Sequence, residues 1–326
     1  MYDEKVDILN QYQFISDKLR KKKILKKPNV AEASQQFENL GKFCEREDLP
    51  EYAGLNYESA AKCQNSLGNH SEEAFLYLKS SKQFMTSYLK QKNNQLVLNN
   101  SYLNHSLISY KNCLERLEQN NECSNLVNNM IMGGITLKMG HDLQEKIEAV
   151  EESCHEYKKA VQLFSNSPVE KIQCLNKLVS SKINSGDFSE ALKLVEDIIS
   201  IAQTIPANSF KENCLCEAEI TRIFLLLILQ PTPQQISPAA ASALEKYAWL
   251  ETSSTNEIID LQTTLKNYNL TMISEDLFLN LQSLVMACQY GEEEVVKGIE
   301  IDLTPYLNFE QKMLLSILVK RYGNKN

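Results

Sequence analysis

The most constraining feature of this chain is a run of seven consecutive apolar residues, Ile223-Phe224-Leu225-Leu226-Leu227-Ile228-Leu229, held between Arg222 and the pair Gln230-Pro231. A surface helix carries an apolar stripe on one side only, so a segment that is apolar all round needs cover on every side. The run is far short of the ~20 residues that cross a bilayer. It therefore belongs between layers of other helices, or between this chain and a partner. A buried strand is the alternative for a short apolar run. The helical reading is preferred because Cys214 to Ile220 leads in without a breaker and carries Glu217 and Glu219 at helical spacing.

Composition narrows the fold class. A length of 326 residues suggests about two domains, although solenoids escape that rule. The apolar share of 43% is enough for a core, and glycine is scarce at 10 residues. Scarce glycine disfavours the tight turns of doubly wound and all-β folds and suits helices joined by short polar turns. The nine cysteines are scattered, with no Cys-x-x-Cys pair, so neither a disulfide framework nor zinc spacing is present. Asn69, Asn99, Asn104 and Asn269 fit the glycosylation acceptor pattern only in a secreted chain. The start, Met1 to Asp7, is acidic and has no apolar core, so no signal or transit peptide is expected there. The expectation is a reduced, intracellular, soluble protein.

Start and stop signals divide the chain into helices. Ile8, Tyr12, Ile15 and Leu19 lie on one helical face, giving a first helix from about Asp3 to Leu19. Asn29 with Glu32 reads as a capping box ahead of Val30, Ala33, Phe37, Leu40 and Cys44. Asp48-Leu49-Pro50-Glu51 reads as a capping acid with proline in the first turn. Gly68-Asn69 and Gly186-Asp187 precede segments with the turn and second-helix pattern of a tetratricopeptide-like hairpin: a small residue at the turn, a cap, and alanine for close approach. Gly140-His141-Asp142 is expected to open a third hairpin, with Asp142 and Glu145 as its cap. Further starts are Ser167-Pro168, Ser209 with Glu212, and Ser237-Pro238. No segment keeps a strand alternation against the helical reading. The predicted fold is all-α, a degenerate tetratricopeptide-like solenoid of helical hairpins.

Boundaries follow from these signals. Residues 1–27 form an N-terminal helix and basic segment, and residues 28–250 the solenoid. Residues 251–273 are a polar connection, and residues 274–326 a C-terminal helical segment packed on the solenoid. Charge is uneven along the chain. Lys18, Arg20, Lys21, Lys22, Lys23, Lys26 and Lys27 occur with no acid among them, whereas residues 275 to 310 are acidic around Glu292, Glu293, Glu294 and Asp302. Such asymmetry speaks to partners and not to fold. The basic run reads as a solvated helix end, an electrostatic contact with a partner or membrane, or a nuclear-import patch.

No catalytic constellation emerges. His70, His105, His141 and His155 pair with no Cys or acid at ligand spacing, and there is no phosphate loop, nucleophile elbow or His-Glu-x-x-His. Met130-Ile131-Met132-Gly133-Gly134 sits inside a helical pattern, where close helix packing explains the glycines. Cys214 and Cys216 read as small hydrophobes. No enzyme activity and no cofactor are expected.

Four stretches together carry a resemblance. They are Lys27-Pro28-Asn29-Val30-Ala31-Glu32-Ala33 with Phe37 and Leu40-Gly41; Cys216-Glu217 with Arg222 and Leu225-Leu226-Leu227 through Gln230-Pro231; Glu245-Lys246-Tyr247 with Trp249; and Leu277-Phe278-Leu279 through Leu281 to Ala287. In this order they resemble the family of forty-kilodalton huntingtin-associated proteins, also called the factor VIII intron-22 proteins. The vertebrate pattern has a Gly/Ala-rich leader, which this chain lacks. It also has a Pro-rich insert where Ile205 to Lys211 here carries a single proline. The chain thus looks like an invertebrate or otherwise divergent member.

The resemblance implies a tetratricopeptide-like solenoid that binds huntingtin one-to-one between the arms of that HEAT-repeat scaffold. It also implies a role in early-endosome motility linked to a Rab-family GTPase, in the cytoplasm and at endosomes, with the nucleus a further site. It transfers no catalytic residue. Candidate partner-binding residues are the apolar Phe224, Leu226, Tyr247, Trp249 and Phe278, the acidic Glu292, Glu293, Glu294 and Asp302, and the basic Lys21, Lys22 and Lys23. No nucleic acid and no transmembrane segment are implied. The alternative class is a vesicle-fusion adaptor resembling the soluble attachment proteins, also helical solenoids, which would bind a SNARE bundle without huntingtin.

Overall fold

The computed structural model describes residues 7–20, 29–94, 100–119, 124–230, 238–247 and 272–322. Among these the chain is all-α, with no strand, and it falls into two compact units, Met1–Met132 and Gly133–Asn326. In each unit successive helices pack as antiparallel hairpins in the manner of a helical solenoid.

The first unit contains α1 (Ile8–Arg20), α2 (Val30–Arg46), α3 (Pro50–Leu67), α4 (His70–Asn93) and α5 (Asn100–Glu118). The Asn29 cap forms: its carboxamide oxygen accepts from the Glu32 amide, while the Glu32 carboxylate accepts from the Asn29 side-chain nitrogen and not from the backbone amide a capping box would use. Ala33, Phe37, Leu40 and Cys44 then face inward as the periodicity requires. At the next start the expectation fails. Asp48 takes a left-handed conformation, φ 59°, and Leu49 is the cap residue, with no side-chain hydrogen bond. Pro50 alone carries the start signal. Gly68, φ 78°, closes α3 as expected. The contact between α4 and α5 runs through serines that apolar periodicity cannot see. Ser81 and Ser106 meet at 3.2 Å, and Ser80 lies 3.3 Å from Ser109 while donating to the Gly54 carbonyl. Small hydroxyls let the backbones approach and satisfy buried oxygens.

In the second unit the latter part of α6 (Asn125–Asp142) pairs with α7 (Val150–Leu163), then α8 (Pro168–Asn184) with α9 (Phe188–Thr204). Here the predicted third hairpin is corrected. Gly140 and Asp142 lie inside or at the end of α6, which continues through a π-helical turn, Leu143–Ile147. The chain reverses at Glu148, φ 68°, so Asp142 caps nothing. Gly140 is required by packing and not by a turn, since its face meets the ring of Tyr157. Gly133 does the same against Phe164. At Gly186-Asp187 the expected hairpin forms, and Asp187 caps α9 by accepting from the Glu190 amide.

The apolar run is the spine of this unit. It ends α10 (Ser209–Leu229), whose cap is Asn208 and not the predicted Ser209. Every residue from Ala218 to Ile228 is buried. Cover comes from this chain's own helices: α9, α11 (Pro238–Glu245), α12 (Glu275–Tyr290) and α14 (Phe309–Tyr322). Each buried large apolar side chain contributes roughly 1.5–3 kcal/mol relative to exposure. At its start Arg222 pairs inside with Glu219 and with Glu196 at 3.5 Å, while Arg222 Nε and Glu219 Oε1 are left without a hydrogen-bond partner. The C-terminal helix α14 is tied along α10 at both ends. Gln311 donates to the Glu217 carbonyl and the Thr221 hydroxyl, and Arg321 donates to the Ile228 carbonyl. Between α12 and α14 lies α13 (Glu293–Leu303), entered at Gly291 with φ 72°.

Candidate functional site

The structure sorts the residues named from sequence by their surroundings. Phe224, Leu226, Tyr247 and Phe278 are enclosed in the core of the second unit, with Tyr247 and Phe278 ring to ring at 5.1 Å. Trp249, Lys21, Lys22 and Lys23 lie outside the described residues. Glu292, Glu294 and Asp302 are exposed and Glu293 is half-buried, all at the two ends of α13. Three acids at a helix start are favoured by the helix dipole, a local reason for their presence there.

Next to Asp302 is a surface that periodicity did not single out. Leu279, Ile301 and Tyr306 are exposed and, with Asp276, Asn280, Asp302 and Pro305, line a shallow depression of about 390 Å³. Ile301 is 75% exposed and nearby Phe309 69%. Leu279 does give a signal, because it lies off the buried face made by Leu277, Leu281, Leu284 and Cys288. The C-terminal helices thus present apolar side chains beside the carboxylates of Asp276 and Asp302.

A larger groove, about 590 Å³, opens between α6, α8, α10 and the start of α14. Its floor is apolar: Leu137, Val179, Ile183, Val195 and Ile198. Its walls are polar. Lys138 and His141 stand one turn apart on α6, and Gln173, Asn176, Lys177 and Ser180 form a ridge on α8. Opposite them stand Glu217 on α10 and Glu310 on α14. Ser180 donates to the Glu310 carboxylate at 2.7 Å, and Lys138 is paired with Asp142 at 3.1 Å. Burial, and then the nearby charge of Glu310, raise the Glu217 carboxyl above the ordinary range. Sequence reading treated Glu217 only as part of the helical lead-in, because the partner that gives it meaning is 93 residues away.

Nothing in these surfaces gathers reactive groups. Among the described residues no three His, Cys, Asp or Glu side chains come together to hold a metal ion. Burial pushes the Cys113 and Cys174 thiols up to about 12, so both stay protonated and unreactive at neutral pH. Among the described residues no helix is long and apolar enough to cross a membrane.

These stacked helical hairpins place the chain in the class of all-α helical-hairpin solenoids. Comparison with known proteins narrows that class. The chain is 24% identical over 369 aligned positions to the 40-kDa huntingtin-associated protein of Mus musculus, covering 96% of this chain and 92% of the relative. The same figures hold for the protein of that name from Rattus norvegicus. No protein-family model matches the chain. The likeness to these huntingtin-associated proteins runs over almost the whole of both chains. Neither relative is named as an enzyme.

Proposed function

We propose that this chain is a non-enzymatic partner of huntingtin, held as a one-to-one heterodimer in that HEAT-repeat scaffold and stabilising it. The observation that carries the reading is the likeness to two proteins named for association with huntingtin, which runs over almost the whole chain. The all-α hairpin fold supports it, because such surfaces bind polypeptides over extended areas. The contact falls on the C-terminal helices. There Glu292, Glu293, Glu294 and Asp302 meet a basic surface, while Leu279, Ile301 and Tyr306 supply apolar area. Phe224, Leu226, Tyr247 and Phe278 act from inside by holding that face in place, and Trp249 and Lys21 to Lys23 are further candidates for contact with huntingtin. The complex works in early-endosome motility, linked to a Rab-family GTPase, and is cytoplasmic with a nuclear fraction.

The test reverses the charge. A Glu292→Lys/Glu293→Lys/Glu294→Lys variant should pull down less huntingtin than wild type in low salt, and the difference should shrink in high salt as the charges are screened. Equal capture by both proteins at both salt concentrations would remove the acidic face from the contact.

A further inference from the structure

The groove between α6, α8, α10 and the start of α14 is separate from the acidic face of the C-terminal helices, and the reading above does not use it. Its chemistry selects among occupants. A lipid chain would leave Gln173, Asn176, Lys177 and Glu217 facing apolar matter, a costly mismatch. A phosphate group would meet the carboxylates of Glu217 and Glu310. A polypeptide meets both demands. Its side chains cover the apolar floor of Val179, Ile183 and Ile198, while exposed carboxamides on α8 can pair with its main chain.

Charge specifies the occupant further. Lys138 shares the Asp142 carboxylate with Lys146. Lys177 lines the α8 wall, and neither Glu217 nor Glu310 makes an ion pair among the described residues. The wall made by α10 and α14 therefore holds two neighbouring carboxylates without an ion pair beside an apolar floor. A volume of about 590 Å³ falls within the range of sites that enclose ligands of roughly 300–1,000 Å³.

We propose that this groove docks an extended segment of a partner protein, apolar in character, that places one lysine or arginine between Glu217 and Glu310. The cation donates to both carboxylates, and the flanking apolar side chains lie on Val179, Ile183 and Ile198. The proposal does not depend on the partner being huntingtin.

The test uses the full chain and a random 12-residue phage-displayed peptide library. Peptides enriched on the wild-type protein should carry a lysine or arginine flanked by apolar residues. As synthetic peptides they should bind Glu217→Gln/Glu310→Gln about tenfold more weakly, the worth of a charge-assisted hydrogen bond. Gln173→Ala/Asn176→Ala, which changes only exposed side chains, should weaken them as well. Circular dichroism and melting of both variants establish that they are folded. The proposal is overturned if no peptide is enriched, if the enriched peptides lack a cation, or if they bind the glutamine variant as tightly as wild type.

Discussion

Gly140 stands against the ring of Tyr157: a Cβ at Gly140 would lie 2.7 Å from Tyr157 Cε1 and 3.3 Å from the Ser153 carbonyl oxygen. Tyr157 is fully buried and its hydroxyl donates to Gln144 at 2.8 Å, so the ring has no room to retreat. Gly140→Val should therefore destabilise by about 1–3 kcal/mol, the usual cost of overpacking. Gly134 lies on the same helix with nothing within 4 Å of its would-be Cβ. Gly134→Ala should be neutral or stabilise by up to about 1 kcal/mol, since glycine weakens a helix interior. Urea unfolding of the pair decides it, and equal effects would mean that α6 does not pack on α7 as described.

How far the sequence carried the fold can be read from these same residues. Asn29, Asp187, Ser274 and Gly186 act locally, within about one turn, and each does what its type and position imply. Gly140 resembles a turn glycine in sequence, because what it serves, the Tyr157 ring, is distant along the chain. The α4–α5 contact was hidden for a related reason: Ser81 and Ser106 are polar letters in a buried place. The apolar run was legible as buried, but whether its cover came from inside or outside was not. Four separate helices supply that cover, and no local pattern records their arrangement. The groove was illegible because Glu217 and Glu310 meet only after α10 and α14 have packed.

Leu281 is fully buried in the core beside Phe278, Leu284 and Val285. Leu281→Asp puts an unpaired carboxylate there, at a cost of several kcal/mol, against a total domain stability of about 5–15 kcal/mol. The variant should lose much of its helical circular dichroism or fail to stay soluble. A variant as helical and as soluble as wild type would place Leu281 in water.

Glu217 gives the groove a signature in the pH dependence of stability. Its carboxyl is raised above its ordinary value of 4.5 by burial and by Glu310, so the charged form is disfavoured in the folded chain. The protonated form stabilises the fold at low pH, and that contribution is lost as pH rises through the folded value. Glu217→Gln should thus have a higher urea midpoint than wild type at neutral pH. The advantage should disappear below the ordinary value, where both side chains are neutral. A difference that is unchanged across this range would show that Glu217 titrates as it does in water.

Association with huntingtin is the claim on which the functional account rests. Sedimentation velocity of the purified full chain mixed with an equal molar amount of purified huntingtin tests it directly. The account predicts a single faster boundary with the mass of one copy of each, and little of the free chain remaining. Two boundaries at the positions of the separate proteins, across the working concentration range, would contradict it.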